Sequence, residues 1–195
     1  MKPLILVGGG GHCRSVIDVV EAQGVYRIEG ILDPNLAKGE KVSGYPVVGG
    51  DEEIAKRAEN GAWFLVTVGE IGPAKIRVKL AEKIHVHTDR FATVISPRAY
   101  VSERAKVAKG SVVMHDALIN AGAVVGYNTI VNSKVLIEHD TVVQKHAHIA
   151  TGAILNGDVL LREGSFVGSG AVVVQGAQTP PFAFIKAGSV YKADA

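Results

Sequence analysis

Between Ile95 and Ala177 an aliphatic residue returns at every sixth position without a break: Ile95, Val101, Val107, Val113, Ile119, Val125, Val131, Ile137, Val143, Ile149, Leu155, Leu161, Val167 and Val173. Four places after each stands a compact residue, in the series Ala99, Ala105, Ser111, Ala117, Ala123, Thr129, Val135, Thr141, Ala147, Ala153, Val159, Ser165, Ala171 and Ala177. A period of six matches neither the 3.6 of a helix nor the 2 of a plain strand, but it suits a solenoid whose sides are short strands joined by tight corners. A β-sandwich has similar turn spacing, yet it does not hold one period over so many units. The expectation is a left-handed parallel β-helix of hexapeptide repeats, with three hexads to each triangular coil. Large aliphatics fill the prism from the middle of each side, and compact residues fit its corners.

The count then serves as a ruler, because residues eighteen apart stack on successive coils about 4.8 Å from one another. His139 is expected to stack on Gly157, with Asn120, Glu138 and Asn156 as a neighbouring ladder. An imidazole flanked by the carboxylates of Glu138 and Asp140, next to a bare backbone amide, suits a general base with a polarising N–H close by. The plainer reading of His139, His146 and His148 is solvated corner histidines. Zinc is not expected: His146 and His148 flank Ala147 with no cysteine near them, so a closed tetrahedral set lacks ligands.

The first 90 or so residues read differently, alternating strand and helix as a small parallel, Rossmann-like α/β domain. An apolar strand over Leu4 to Val7 runs into Gly8-Gly9-Gly10-Gly11-His12, followed by helical spacing over Ser15 to Gln23. Such a loop brings backbone N–H groups at a helix N-terminus close to a phosphate. The dinucleotide fingerprint fails, since Cys13 holds its third glycine position. A second strand, near Ile28 to Leu32, ends at Asp33. Further elements follow: a strand and turn at Pro46 to Gly50, a helix over Glu52 to Glu59, a strand over Trp63 to Val68 ending at Gly69, and a helix after Pro73. The strand ends at Gly8, Asp33 and Gly69 would meet on one edge, where ligands bind in open α/β sheets. Gly69 reads equally well as a simple turn. The division expected is residues 1–90 for the head and 91–195 for the solenoid.

Charge and cysteine usage narrow the function classes. A net charge of +2 with no run of Lys or Arg gives no footprint for nucleic acid or an anionic membrane. Cys13 is the single cysteine, so there is no intrachain disulfide and a cytoplasmic address is expected. The opening MKPLILVGGGGH has too short an apolar run for a signal or membrane segment.

GGGGH after a first strand, the PVVGG turn, the α/β head and a hexapeptide tail carrying IEHD together resemble the sugar O- and N-acyltransferases of the sialic-acid O-acetyltransferase and bacillosamine-pathway type. The resemblance covers nearly the whole chain. It implies that His139 with Asp140 deprotonates the substrate amine or hydroxyl as it attacks acetyl-CoA, although the family usually carries Glu in the second place. It implies that His148 lies near the acetyl-CoA thioester, that the Gly157 amide meets it, and that Gly10, Gly11, His12 and Asp33 hold a uridine diphosphate. A second acid often follows Asp33 in the family, and here that position is Pro34. The usual histidine-proline of the domain junction is replaced around Arg90-Phe91-Ala92. The last coil, through Thr179-Pro180-Pro181-Phe182, is expected to be shortened or differently closed.

The function so implied is acetyl-CoA-dependent N-acetylation of a UDP-linked 4-amino-4,6-dideoxy sugar, by a metal-free homotrimer with active sites between subunits. O-acetylation of a free sugar such as sialic acid is the nearest alternative. A catalytically silent β-helix that serves binding or assembly is the alternative from another class.

Overall fold

The computed structural model describes residues 1–192. The head contains β1 (Lys2–Val7), α1 (Gly11–Gln23), β2 (Tyr26–Leu32), β3 (Lys41–Val42), β4 (Tyr45–Gly49), α2 (Ile54–Glu59), β5 (Trp63–Val66) and α3 (Lys75–His85). The sheet order is β3-β4-β2-β1-β5. Its pairings are parallel apart from β3 with β4, so the sheet is mixed where the sequence suggested a purely parallel one. The difference arises at Ser43 and Gly44, whose positive φ angles of 45° and 89° make the two-residue turn that matches the twist of a hairpin. Helix α1 begins at Gly11, earlier than Ser15, because the last glycines of the run extend into its first turn. It ends at Gly24, where φ of 69° places the N–H on the Val20 carbonyl.

The solenoid follows the ruler. Leu118 pairs with Leu136, Val124 with Val142, and His148 with Phe166, all in parallel and one coil apart. Three stacked sheets result, the left-handed β-helix expected. The first side runs from Val94–Ile95 to Phe184–Ile185, the second from Tyr100–Val101 to Val190–Tyr191, and the third from Lys106–Val107 to Leu160–Leu161. The inward aliphatics from Val113 to Val173 form one continuous buried core. Hydroxyls at compact positions are satisfied by neighbouring backbone: Ser111 Oγ donates to Gly126 O at 2.8 Å and Thr141 Oγ1 to Asn156 O at 2.8 Å.

Each corner column turns through a left-handed residue. One column carries Gly110, Asn128, His146, Gly164 and Phe182, a second Asp116, Lys134, Gly152, Gly170 and Gly188, and a third Gly122, Asp140, Asp158 and Gly176, all with positive φ. Such positions favour Gly, Asn and Asp.

The last coil is not shortened. Val167 pairs with Ile185 and Val173 with Tyr191, so the register continues past the point where the aliphatic series stops. The third side is reduced there to one bridge, Leu160 with Gln178, where the Arg162 N–H donates to the Thr179 hydroxyl at 3.0 Å and not to a backbone carbonyl.

The head docks on the first side. Val16, Val19 and Val20 of α1 share a buried cluster with Val94, Val112, Met114 and Ile130. Beyond that cluster the first side presents His148 and Phe166, and Phe166 stacks on the exposed Phe184 at a centroid distance of 5.4 Å.

Candidate active site

A cavity of about 590 Å³ lies at the carboxyl ends of β1, β2 and β5, walled by Gly8, Gly10, Gly11, Asp33, Gly69 and α3. Gly8 has φ of 108°, and a Cβ there would fall 2.5 Å from Val68 Cγ2, so only glycine fits. Asp33 clasps the loop: its Oδ2 accepts from the Gly9 N–H at 2.7 Å and its Oδ1 from the Asn35 N–H at 2.9 Å. Gly10 and Gly11 face open space. Gly69 does more than turn the chain, since a Cβ there would stand 2.8 Å from His12 Cβ. Its missing side chain admits His12. Lys79 and Lys83 on α3 form the far wall, and Lys83 Nζ lies 2.9 Å from Asp51 Oδ2. The sequence reading passed over both lysines; their spacing of four on a helix was the available signal.

Through Gly11, His12 and Gly69 this cavity continues into a cleft at the junction with the solenoid, lined there by Asn132, His148 and Phe166. The His12 and His148 rings lie 6.2 Å apart. Burial, then the proximity of His148 and Arg77, pushes His12 down to about 3. Burial likewise pushes His148 down to about 4. Both rings are neutral at neutral pH, and the Nε2 atom of each is buried without a hydrogen-bond partner among the described residues.

His139 sits at the corner between the second and third sides. Its Nδ1 lies 3.0 Å from Asp140 Oδ2, where it donates to the carboxylate and leaves Nε2 free. A Cβ at Gly157 would fall 2.6 Å from both Cε1 and Nε2 of His139, so the imidazole packs directly on the bare backbone. Asp158 N–H donates to His139 O at 3.0 Å, which fixes the coil-to-coil stack. Asn120 Nδ2 donates to Glu138 Oε2 at 2.9 Å, completing two rungs of the expected ladder. Glu138 turns toward Asn120, and the imidazole is oriented by Asp140. The shorter acid has a local reason: Asp140 has φ of 59°, a conformation that Asp tolerates better than Glu.

The chain therefore carries two separate groupings. Gly10, Gly11, His12, Asp33, Gly69 and His148 share one continuous region around the docked first side. His139, Asp140 and Gly157 occupy the corner opposite that side. His146 is structural: it is buried, with Nδ1 2.9 Å from Asn128 Nδ2 and its ring edge-on to Tyr127. Arg77 of α3, which the sequence reading also passed over, is buried and donates to Asn128 O and Val68 O, pinning head to solenoid. Among the described residues no group of three or more His, Cys, Asp or Glu is arranged to hold a metal.

The comparisons with known proteins converge on one family. The family described as the PglD N-terminal domain matches residues 3–84. UDP-N-acetylbacillosamine N-acetyltransferase of Bacillus subtilis is 31% identical over 116 residues, covering 58% of this chain and 52% of that protein, so the matched stretch spans about half of that relative's length. The acetyltransferase domain of PglB from Neisseria gonorrhoeae, solved with acetyl coenzyme A, is 31% identical with a TM-score of 0.91, covering 99% of this chain and 92% of that one. A histidine-to-asparagine mutant of perosamine N-acetyltransferase from Caulobacter crescentus, solved with CoA and GDP-perosamine, is 29% identical with a TM-score of 0.92, covering 100% of this chain and 90% of that one. With an α/β head, a six-residue solenoid and likeness to these structures along nearly its whole length, the chain belongs to the PglD- and NeuD-type family of hexapeptide-repeat sugar acyltransferases.

Proposed function

We propose that this chain N-acetylates a nucleotide-linked amino sugar with acetyl-CoA, the substrate being a UDP-linked 4-amino-4,6-dideoxy hexose. Residues 1–90 hold the nucleotide and residues 91–195 carry the chemistry. The observation that carries this reading is the packing of His139, oriented by Asp140, on the side-chain-free Gly157. The Bacillus relative's name and the Caulobacter complex both specify a nucleotide sugar or its N-acetylation, which favours an amine over a hydroxyl acceptor.

Acetyl-CoA supplies the acyl group as a thioester, and the buried, unpartnered Nε2 of His148 is a group suited to one of its ligand-facing contacts. His139 Nε2 takes the proton that the sugar amine loses as its nitrogen bonds to the acyl carbon. Asp140 accepts from Nδ1–H throughout and stabilises the imidazolium. The Gly157 N–H donates to the oxygen on which negative charge develops; as the C–S bond breaks, the coenzyme sulfur takes up the proton held by His139 and leaves as the thiol. In the head, the N–H groups opening α1 at Gly10, Gly11 and His12 face the diphosphate.

The working unit is a homotrimer. His139 stands at the corner opposite the docked head, so a nucleotide sugar seated at Gly10 requires a base from a second copy. The outward residues of the second side, Leu118, Leu136, Ile154 and Val172, form an apolar ladder that a threefold assembly would cover. The cytoplasm is the proposed location, and no helix among the described residues is long and apolar enough to cross a membrane. A thiol-release assay with UDP- and GDP-linked amino sugars tests the reading. Turnover is expected with the UDP substrate; release only with free sialic acid would replace it with O-acetylation, and no release with any acceptor would favour a silent module.

A further inference from the structure

His148 is only 6% exposed, and its ring makes one directional contact: Nδ1 lies 3.0 Å from the carbonyl oxygen of Glu70. A carbonyl can only accept, so Nδ1 carries the proton. In the neutral ring the other nitrogen, Nε2, is then a lone pair. It is buried, unpartnered among the described residues, and belongs to a side chain lining the junction cleft. The carbonyl that imposes this arrangement is itself held in place. The Glu70 carboxylate accepts from the Ile76 N–H at 3.0 Å and the Arg77 N–H at 3.2 Å, satisfying donors of the first turn of α3 that have no partner within the helix. The loop between β5 and α3 is thereby tied to the helix that follows it.

Resting on the transferase reading only for the identity of the ligand, we propose that Glu70 is a positioning residue. It locks His148 as the Nδ1–H tautomer, so that Nε2 accepts a hydrogen bond from a ligand N–H or O–H in the junction cleft. His148 is then an acceptor and does not donate to the thioester oxygen, which leaves that task to Gly157. Two ligands present such donors, the amide groups of the coenzyme's pantetheine arm and the hydroxyl or amine groups of the sugar.

The test needs no turnover. Nitrogen-15 histidine labelling, with His148 assigned by the signals lost in His148→Gln, reports which ring nitrogen is protonated at neutral pH. Wild type is expected to show Nδ1 protonated and Nε2 bare; the reverse overturns the tautomer. Glu70→Ala is expected to move the Nε2 signal toward the protonated position, and Glu70→Gln, which keeps an oxygen for the α3 amides, to restore the wild-type pattern. An unchanged His148 in Glu70→Ala overturns the positioning role, and Glu70→Ser repeats the measurement should the alanine variant not fold. Saturation with coenzyme A alone or a UDP-hexose alone is then compared. The ligand that shifts Nε2 supplies the donor, and a shift with neither overturns the acceptor role. A chain lacking transferase activity but showing the expected tautomer would sink the functional reading and leave the Glu70 contact standing.

Discussion

The solenoid and the head are built under different rules. In the solenoid one rule repeats, and the strand pairings between coils follow a separation of eighteen residues, as in Leu136 on Ile154, as does the stack of His139 on Gly157. In the head no one separation governs the contacts. His12 meets Gly69, Asp33 meets Gly9 and Lys83 meets Asp51 across unrelated spacings fixed by particular turns. A periodic core thus lets a reactive group be located by counting, whereas a single-copy site has to be folded before its partners are known.

The largest expected effect tests whether counting found chemistry or only position. His139→Ala should lower turnover by about 10²- to 10⁴-fold, the usual worth of a positioned general base, with the fold intact. Steady-state kinetics with circular dichroism would check it, and turnover within threefold of wild type would leave His139 a corner residue. Gly10→Val probes the head. A Cβ at this position meets nothing within 4 Å in the protein, so stability should hold while the bulk of valine intrudes where a phosphate would sit. Loss of one or two charge-assisted hydrogen bonds, about 1.5–3 kcal/mol each, predicts a KM for the sugar nucleotide raised at least tenfold and an unchanged KM for acetyl-CoA.

Gly168→Ala sharpens the contrast from the other direction. A Cβ there would lie 2.4 Å from the backbone nitrogen of Ala187 on the next coil, and backbone cannot swing aside as a side-chain tip can. Overpacking of this kind costs about 1–3 kcal/mol, to be read as a lower midpoint in denaturant, with Gly10→Val as the unshifted control. The smallest effect is a pH dependence from the junction histidines. His12 and His148 protonate near 6.5 when unfolded, but only near about 3 and about 4 when folded. The unfolded state therefore binds more protons below pH 6.5, and stability falls as pH drops through that range, by up to about 1.4 kcal/mol per pH unit for each histidine. The slope fades as pH rises past 7, where the unfolded imidazoles also lose their protons. Thermal unfolding at pH 7.5, 6.5 and 5.5 should show a small drop in the first step and most of the drop in the last, and in His148→Gln the drop should shrink.

The solenoid was legible because its signal is redundant. Any single hexad could mislead, but a run of aliphatics at one spacing fixes coil, register and the His139–Gly157 stack together. It failed where the rule broke, at Thr179, and the pairings of Val167 with Ile185 and Val173 with Tyr191 show the coil continuing. In the head the glycine loop and Asp33 were visible as types, but their partners were not. Nothing in the sequence reveals that Gly69 yields space to His12, since that contact depends on where α1 starts. Buried Arg77 was hidden for a related reason: two of its partners, Val68 O and Asn128 O, are main-chain carbonyls, which carry no residue-type signature.

The left-handed corners have a further consequence for where reactivity can be installed. Each column repeats one backbone conformation from coil to coil, so a side chain placed on it leaves the prism in nearly the same direction wherever it is grafted. A His-Asp pair moved from 139 and 140 to 157 and 158 would keep its bearing and advance along the axis by one strand spacing, about 4.8 Å. Reach toward a bound ligand is therefore adjustable in discrete increments. A solenoid of this kind can accommodate a longer or shorter substrate by choosing the coil that bears the base, with its interior left as it is.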